Sequence, residues 1–501
     1  MDVIISGAGP NGLMLACELA LAGVRPVVLE ALPEPSTAPK ANGLVGEVVR
    51  LVDHRGLYEA LAGKPGPPLA NSGFFPYAGM YLNLGLLDES PLYVLPVPQR
   101  KIVQVLTERA FELGVEIRYG HELVGLNQDD DGVTASIAGP DGAYELRTGY
   151  LVGADGAHSP VRKLSGIDFV GVTYDRRTLR MAHAVVPADW IDPATQGLKI
   201  PGHGVAFPFV GIRTEQGSFS YAPLPDHPPT IATTEWDEPP GDEPLTMDEM
   251  RASVRRVLGV EVPLGEPSGD GPHLMNKLSK GNTRIAAKFR DGRVFLLGDA
   301  AHIFAHGGAG LNLGMQDAAN LGWKLAAEIN GSAPAGLLDT YEAERRAAAE
   351  RVVLYAGATN ALLSPGSDVT ALRTVFGELF NDAATVRRFA EQIAGSDVRY
   401  DMGVDEPHPL VGKFVPPLEL VTPDGSLRLA ELSRTARPLL LDFTGGLSRF
   451  QGAVDVITAD PIEGVPAAVL VRPDGYVAWA SSAEGVEAAF ERWFGLAANH
   501  V

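Results

Sequence analysis

The sequence predicts an α/β protein of more than one domain. Three observations carry that reading. A strand–helix–strand unit opens the chain. A middle stretch over 172–285 is rich in Pro, Gly and aromatics, with weak helical periodicity. A last stretch again alternates strands with a helix. At 501 residues the chain has room for about three domains. Its 45% hydrophobic and 21% charged residues mark a globular chain rather than a disordered or fibrous one.

The elements follow in order. Val3-Ile4-Ile5 is a short apolar run bounded by Gly7, as in a buried parallel strand. Residues 11–22 read as a helix, with Leu13, Leu15, Ala16 and Leu19 on its apolar face and Gly23 ending it. Residues 26–30 form a second buried strand, completing a βαβ unit. A helix is expected over 100–114, and strands over 115–119, 133–137 and 144–151. The β-rich middle is interrupted by a helix near 247–258. A buried strand at 292–297 precedes long helices at 312–330 and 338–360. The Pro-rich stretch over 406–417 reads as a linker. Beyond it, strands at 438–443, 467–471 and 476–480 and a helix at 484–493 form a compact α/β module.

The net charge of −21 argues against a nucleic-acid partner and against docking on an anionic membrane. Cys17 is the single cysteine, so an intrachain disulfide and a cysteine-rich zinc site are excluded. No apolar run reaches the ~18 residues of a membrane span. The N-terminal residues do not read as a secretion signal, because an acid, Asp2, stands where a base is expected. A soluble, cytoplasmic protein is the expectation.

The motif that carries chemistry is Gly7-x-Gly9-x-x-Gly12, placed between the first strand and the first helix and including Pro10 and Asn11. The first glycine makes the tight turn. The second lets backbone approach a pyrophosphate, and the third lets the helix pack close to the strand. The helix N-terminus then holds the anion. Glu30 ends the second strand, where a carboxylate accepts hydrogen bonds from a ribose diol. That acid suits an unphosphorylated ribose, hence FAD or NAD. The motif alone does not choose between them.

Two further motifs do. Gly153-Ala154-Asp155-Gly156-Ala157-His158-Ser159-Pro160-Val161-Arg162 resembles the DG motif of flavoprotein monooxygenases. Gly298-Asp299-Ala300-Ala301-His302, followed by Gly307-Gly308-Ala309-Gly310-Leu311-Asn312, resembles their GD motif. The three motifs stand in that family's order. The chain is therefore similar to the FAD-dependent aromatic hydroxylases of the p-hydroxybenzoate hydroxylase type. Within these it most resembles the polyketide-tailoring and rifampicin-type enzymes.

The resemblance implies a Rossmann-like FAD-binding domain from 1–70 with 100–170 and 286–335. It implies a β-rich substrate domain from 71–99 with 171–285, a helical segment over 336–405, and a thioredoxin-like C-terminal domain over 406–501 without a Cys-x-x-Cys pair. It also implies FAD, transient NADPH or NADH, and molecular oxygen. The activity implied is hydroxylation of a bulky aromatic, polyketide-derived small molecule through a flavin hydroperoxide, by a monomer or homodimer. A Baeyer–Villiger-type ring opening, or a flavoprotein that binds a drug or pigment without turnover, are the alternatives.

By the same resemblance, Asp155 and Arg162 sit near the FAD pyrophosphate, and Gln99 or its neighbour Arg100 contacts the cofactor. Asp299 binds its ribityl or pyrophosphate portion. Gly308 and Gly310 let backbone lie against a flat ring, and the N–H groups of Leu311 and Asn312 face negative charge on the reduced flavin. Phe74, Phe75, Tyr77, Phe207, Phe209 and Tyr221 fall in segments that line the family's substrate cavity. They read equally as core.

Two departures stand out. Where the family carries an arginine pair, this chain has Lys40 and Asn42, one charge without a bidentate fork. The two prolines after the GD motif are absent, and His306 stands in that loop as a candidate proton donor or acceptor. His302 and Cys17 read as structural.

Overall fold

The computed structural model describes residues 2–38, 40–224, 227–237, 243–269, 271–305, 308–405, 407–481 and 485–495. Its organising element is a six-stranded sheet in the order Arg290–Asp291, Val294–Leu296, Tyr150–Gly153, Val3–Ser6, Pro26–Glu30 and Glu116–Tyr119. All neighbours are parallel except the first pair. Val3, Ile4 and Ile5 are wholly buried, which fits a sheet covered on both faces. The helix Pro10–Leu21 packs against Gln99–Glu112 and against the long helix Gly310–Ile329. The close approach of the two is local: a Cβ at Gly322 would lie 2.5 Å from Glu18 Cβ.

The expected strand over 144–151 is in fact two. Gly142–Thr148 ends an antiparallel meander with Glu122–Asp129 and Gly132–Gly139, whereas Tyr150–Gly153 joins the parallel sheet. The burial pattern explains the split. Exposure alternates along the first strand, as in a half-solvated antiparallel ribbon, and the second is buried throughout.

The middle of the chain forms a five-stranded antiparallel sheet in the order Ile212–Arg213, Gly217–Leu224, His227–Trp236, Arg177–His183 and Met275–Leu278. The helix Met247–Leu258 covers it, as expected. The Thr246 hydroxyl accepts from Glu249 N–H at 3.2 Å to start it, and Gly259, at φ +71°, ends it.

Two helices not bounded individually in the sequence lie within the expected helical segment over 336–405. Ser367–Leu379 and Ala383–Ala394 follow the expected long helix, here Asp339–Leu363. No described helix is long and apolar enough to cross a membrane.

The last sheet runs Asp455–Thr458, Leu439–Asp442, Ala468–Val471, Val477–Ser481, with the helix Val486–Phe494 following. The stretch read as a linker is part of this module. Val411 and Val415 are buried, and the N–H groups of Gly412 and Val415 donate to Val477 and Gly475 carbonyls at 2.8 and 2.9 Å. Its prolines sit where no donor is needed, so the pattern of a linker and that of an edge segment coincide.

Buried charges fasten the module to the rest. Arg472 is enclosed by Trp323, Tyr400, Tyr476 and Trp493 and donates to Glu344 at 2.7 and 2.8 Å. Lys324, on the long helix, reaches the same carboxylate at 2.7 Å. Burial alone would raise the Glu344 carboxyl, but Arg472 and Lys324 together outweigh it and hold it at about 2. Arg55 makes a second link, pairing with Glu18 and donating to the carbonyls of Ser433 and Pro473.

Candidate active site

Two cavities meet the glycine-rich segments. The first is a cleft of about 290 Å³ at the carboxyl ends of the parallel strands. Gly7, Gly9, Glu30, Lys40, Gln99, Arg100 and Asp155 line it. That is where an open α/β sheet binds its ligand.

The three fingerprint glycines serve three separate needs. Gly7 has φ +109°, and a Cβ there would meet Ala154 O at 2.5 Å. At Gly12 a Cβ would lie 2.0 Å from Gly7 O. At Gly9 it would meet nothing within 4 Å. The first two glycines are thus required by the fold, and Gly9 faces open space that a pyrophosphate would fill. Pro10 begins the helix, and its missing N–H costs nothing there.

Asn11 does not line the cleft. It is wedged where a Cβ at Gly298 or Gly314 would come within 2.2 Å of its Nδ2. It locks the first motif to the third.

Glu30 accepts from Ala8 N–H at 2.8 Å and from Leu32 N–H at 3.0 Å. Those bonds fix its carboxylate and leave lone pairs for a ribose diol. Asp155 accepts from Val161 N–H at 3.0 Å through Oδ2, while its Oδ1 is buried without a partner. Burial raises the Asp155 carboxyl, against hydrogen bonds from Ser159 and Val161 and the charge of Arg162. Arg162 is not at the cleft. It is buried, donates to the carbonyls of Ala300 and Ala157, and stacks on Phe169 at 3.9 Å. It ties the DG and GD segments together, a structural role.

Gln99 Oε1 lies 3.5 Å from Ala41 N, at the limit of a hydrogen bond. Asp299 is open to solvent on one side, yet the protein packed behind it raises its carboxyl, with His302 and Lys40 opposing. A Cβ at Gly310 would lie 3.3 Å from Asp299 Oδ1, so that glycine keeps the carboxylate clear.

His302 is buried and bonded to Asp317 at 2.7 Å. Asp317 in turn pairs with Arg345 at 2.6 Å. That network anchors the GD segment, as expected of a structural histidine. Cys17 is likewise buried, and burial pushes its thiol up to about 12. His306 lies outside the described residues.

The second cavity, about 590 Å³, adjoins Asn42, Gly43, Gly308, Ala309 and Asn312. Phe74, Phe75, Tyr77 and Phe209 line it. Two expected lining residues do not. Tyr221 is 3% exposed within the core under the five-stranded sheet, and Phe207 projects to the surface. Strand alternation explains Tyr221, which shares its face with the buried Phe219 two positions away.

The opposite wall went unread in the sequence. It comes from Asp339–Leu363 and the segment 392–398, and includes Arg351, Val352, Tyr355, Thr359, Gln392 and Asp397. The spacing 351, 355, 359 places three of these on one helix face and was the available signal.

At the boundary of this cavity the helix Gly310–Ile329 begins. Its first intrahelical bond is Leu313 N–H to Ala309 O at 2.9 Å, so the N–H groups of Gly310, Leu311 and Asn312 precede it. They lie at the positive end of the dipole of a 20-residue helix. The Asn312 side chain is already committed: its Oδ1 accepts from Val45 N–H at 3.1 Å. The residues present thus fit FAD. Gly9 leaves room for the pyrophosphate, Asp155 has an unpaired buried oxygen, Glu30 is preset for a ribose, and a helix start suits the reduced ring.

Comparison with known proteins gives the same reading. A family described as "FAD binding domain" matches residues 1–356, and one described as "Aromatic-ring hydroxylase, C-terminal" matches 408–497. The chain is 40% identical over 517 residues to the 12-dehydrotetracycline 5-monooxygenase/anhydrotetracycline 6-monooxygenase of Streptomyces rimosus, with 99% of each covered. It is 39% identical over 506 residues to a rifampicin monooxygenase of Streptomyces venezuelae, again with 99% of each covered. Among solved structures, the OxyS anhydrotetracycline hydroxylase from Streptomyces rimosus superposes with a TM-score of 0.85 at 39% identity, covering 99% of each chain. Cleft, motif order and full-length likeness converge, and the chain belongs to the FAD-dependent aromatic-ring monooxygenases.

Proposed function

We propose that this protein hydroxylates a bulky, polyketide-derived aromatic compound, using NADPH or NADH as reductant and molecular oxygen as oxidant. The observation that carries the reading is the 590 Å³ cavity, walled largely by apolar and aromatic side chains and bordering the Gly308–Asn312 turn. A cavity of that size suits a several-ring ligand. When bound, FAD supplies the redox chemistry, taking hydride from the nicotinamide and activating oxygen.

The protein's own residues do the rest. Gly7, Gly9, Glu30 and Asp155 hold the dinucleotide. Lys40, Gln99, Arg100 and Asp299 complete its cradle. The N–H groups of Leu311 and Asn312 hold negative charge at the ring. Phe74, Phe75 and Phe209 exclude water and orient the substrate. His306 is the proposed proton donor or acceptor; the residue before it, Ala305, is held by its N–H to Thr283 Oγ1 at 3.1 Å.

The two departures from the family pattern divide between the cavities. Lys40 lines the cleft and supplies its cation, whereas Asn42 lines the substrate cavity. The hydroxylase activity named for the Streptomyces rimosus structure favours hydroxylation over ring opening. The tail's sheet supports a thioredoxin-like reading. Its strands lie in the order second, first, third, fourth, with the first two parallel and the rest antiparallel. With no cysteine in it, the module serves packing. The proposed domain division is the one set out from the sequence, in a cytoplasmic monomer or homodimer.

The test is the visible spectrum before and after anaerobic NADPH. A flavin band that bleaches is the expected result. Bleaching only after an aromatic ligand is added assigns reductive gating to the Asn42 segment. No flavin band even after adding FAD overturns the reading.

A further inference from the structure

The substrate cavity carries an acceptor pair that the protein leaves unanswered. Asp397 and Gln392 both line it, from the end of the helix Ala383–Ala394 and the turn after it. Asp397 Oδ2 takes the Arg351 guanidinium at 2.7 and 2.8 Å. Its other oxygen, Oδ1, is buried with no partner, and so is Gln392 Oε1. Arg351 is itself fixed, with its guanidinium 4.8 Å from the centre of the Tyr355 ring. A buried acceptor left unpaired is destabilising, and two in one cavity wall are costly unless something that enters the cavity donates to them.

Resting on the monooxygenase reading above, we propose that Asp397 and Gln392 form a specificity site that recognises paired hydrogen-bond donors on the substrate edge. The donors are neighbouring phenolic or enolic hydroxyls, or a primary carboxamide. Apolar walls accept any ring system of the right size and discriminate weakly. A site built to pair a hydroxyl rejects the analogue lacking it far more strongly, because the site's own groups are then stranded. Arg351 is a positioning residue here: it fixes which carboxylate oxygen is free.

The test uses the FAD-loaded protein and two probes, 2,3-dihydroxynaphthalene and its dimethyl ether, titrated against the visible flavin spectrum. The native protein is expected to bind the dihydroxy probe at least about tenfold more tightly. Gln392→Leu keeps the size of the side chain and removes the acceptor. It should erase most of that preference by weakening the dihydroxy probe alone, with flavin content and melting temperature retained. Asp397→Asn should go further. Its carbonyl oxygen keeps the bond to Arg351, its N–H2 replaces the free acceptor, and the preference should invert. An unchanged preference in both folded, flavin-loaded variants overturns the proposal and leaves the monooxygenase reading intact. Failure of both probes to perturb the native flavin overturns the aromatic substrate class, and this site with it.

Discussion

The cofactor cleft and the substrate cavity adjoin, but they are built by opposite means. The cleft is made of backbone and small residues from motifs a few positions long, and its key surface is space left open at Gly9. The cavity is made of side chains from segments as far apart as Asn42 and Val398, including helices that come after the nucleotide-binding sheet is complete. Cofactor chemistry is invariant, so local backbone geometry suffices for it. Substrate shape is particular, so it is written in long-range packing.

That contrast can be broken at the join. Arg472→Met removes the cation shared by Glu344 and Asp474 and leaves both carboxylates buried. A loss of about 3–5 kcal/mol is expected in urea unfolding. Because Glu344 lies on the helix that walls the cavity, aromatic-ligand binding should fail at lower urea than flavin release. Simultaneous loss of both would show that the two sites are one cooperative unit.

Within the cleft, Gly12→Val and Gly9→Val should separate fold from function. A side chain at Gly12 collides with the Gly7 carbonyl and should cost about 3 kcal/mol, seen as a lowered melting temperature. Gly9→Val meets only open space. It should leave the FAD-free protein within about 0.5 kcal/mol of native, yet abolish the flavin band. Equal melting losses in the two would contradict the assignment of Gly9 to the pyrophosphate.

Filling the cavity should do the reverse. Ala356→Phe projects a ring into it and should raise KM for the aromatic substrate about tenfold, a loss of about 1.4 kcal/mol. Flavin content should not change.

The last effect is electrostatic and shows only in acid. Glu344 is held at about 2 against an ordinary 4.5, so the unfolded chain binds the proton first. Its contribution is therefore complete above pH 4.5 and lost as pH falls toward 2. Glu344→Gln should shallow the fall of melting temperature over that window.

The sequence analysis was strongest where spacing is short. The fingerprint, the first βαβ unit and the helix Met247–Leu258 were legible because each is specified by neighbouring residues, within about 30 positions at most. The strand over 144–151 misled because Gly149 separates strands of two different sheets, while the β pattern of the sequence continues across it. The Pro-rich 406–417 stretch misled because an edge segment and a linker share one composition. Tyr221 and Phe207 could not be sorted from Phe209, since a lone aromatic gives no sign of whether it meets the core, a cavity or solvent. Arg351, Gln392 and Asp397 were silent for a related reason. A polar residue on a helix, or in the turn after one, reads as solvated until another segment covers it.

The central claim is that the cavity delivers an aromatic ring to a flavin that transfers oxygen. It is tested most directly by turnover of a polyketide aromatic such as anhydrotetracycline with NADPH under isotopically labelled oxygen gas. The account predicts a product heavier by one labelled oxygen atom, formed with substrate-dependent NADPH oxidation. A product carrying no label, or oxidation of NADPH by the flavin-loaded protein with no change in any aromatic offered, would contradict it.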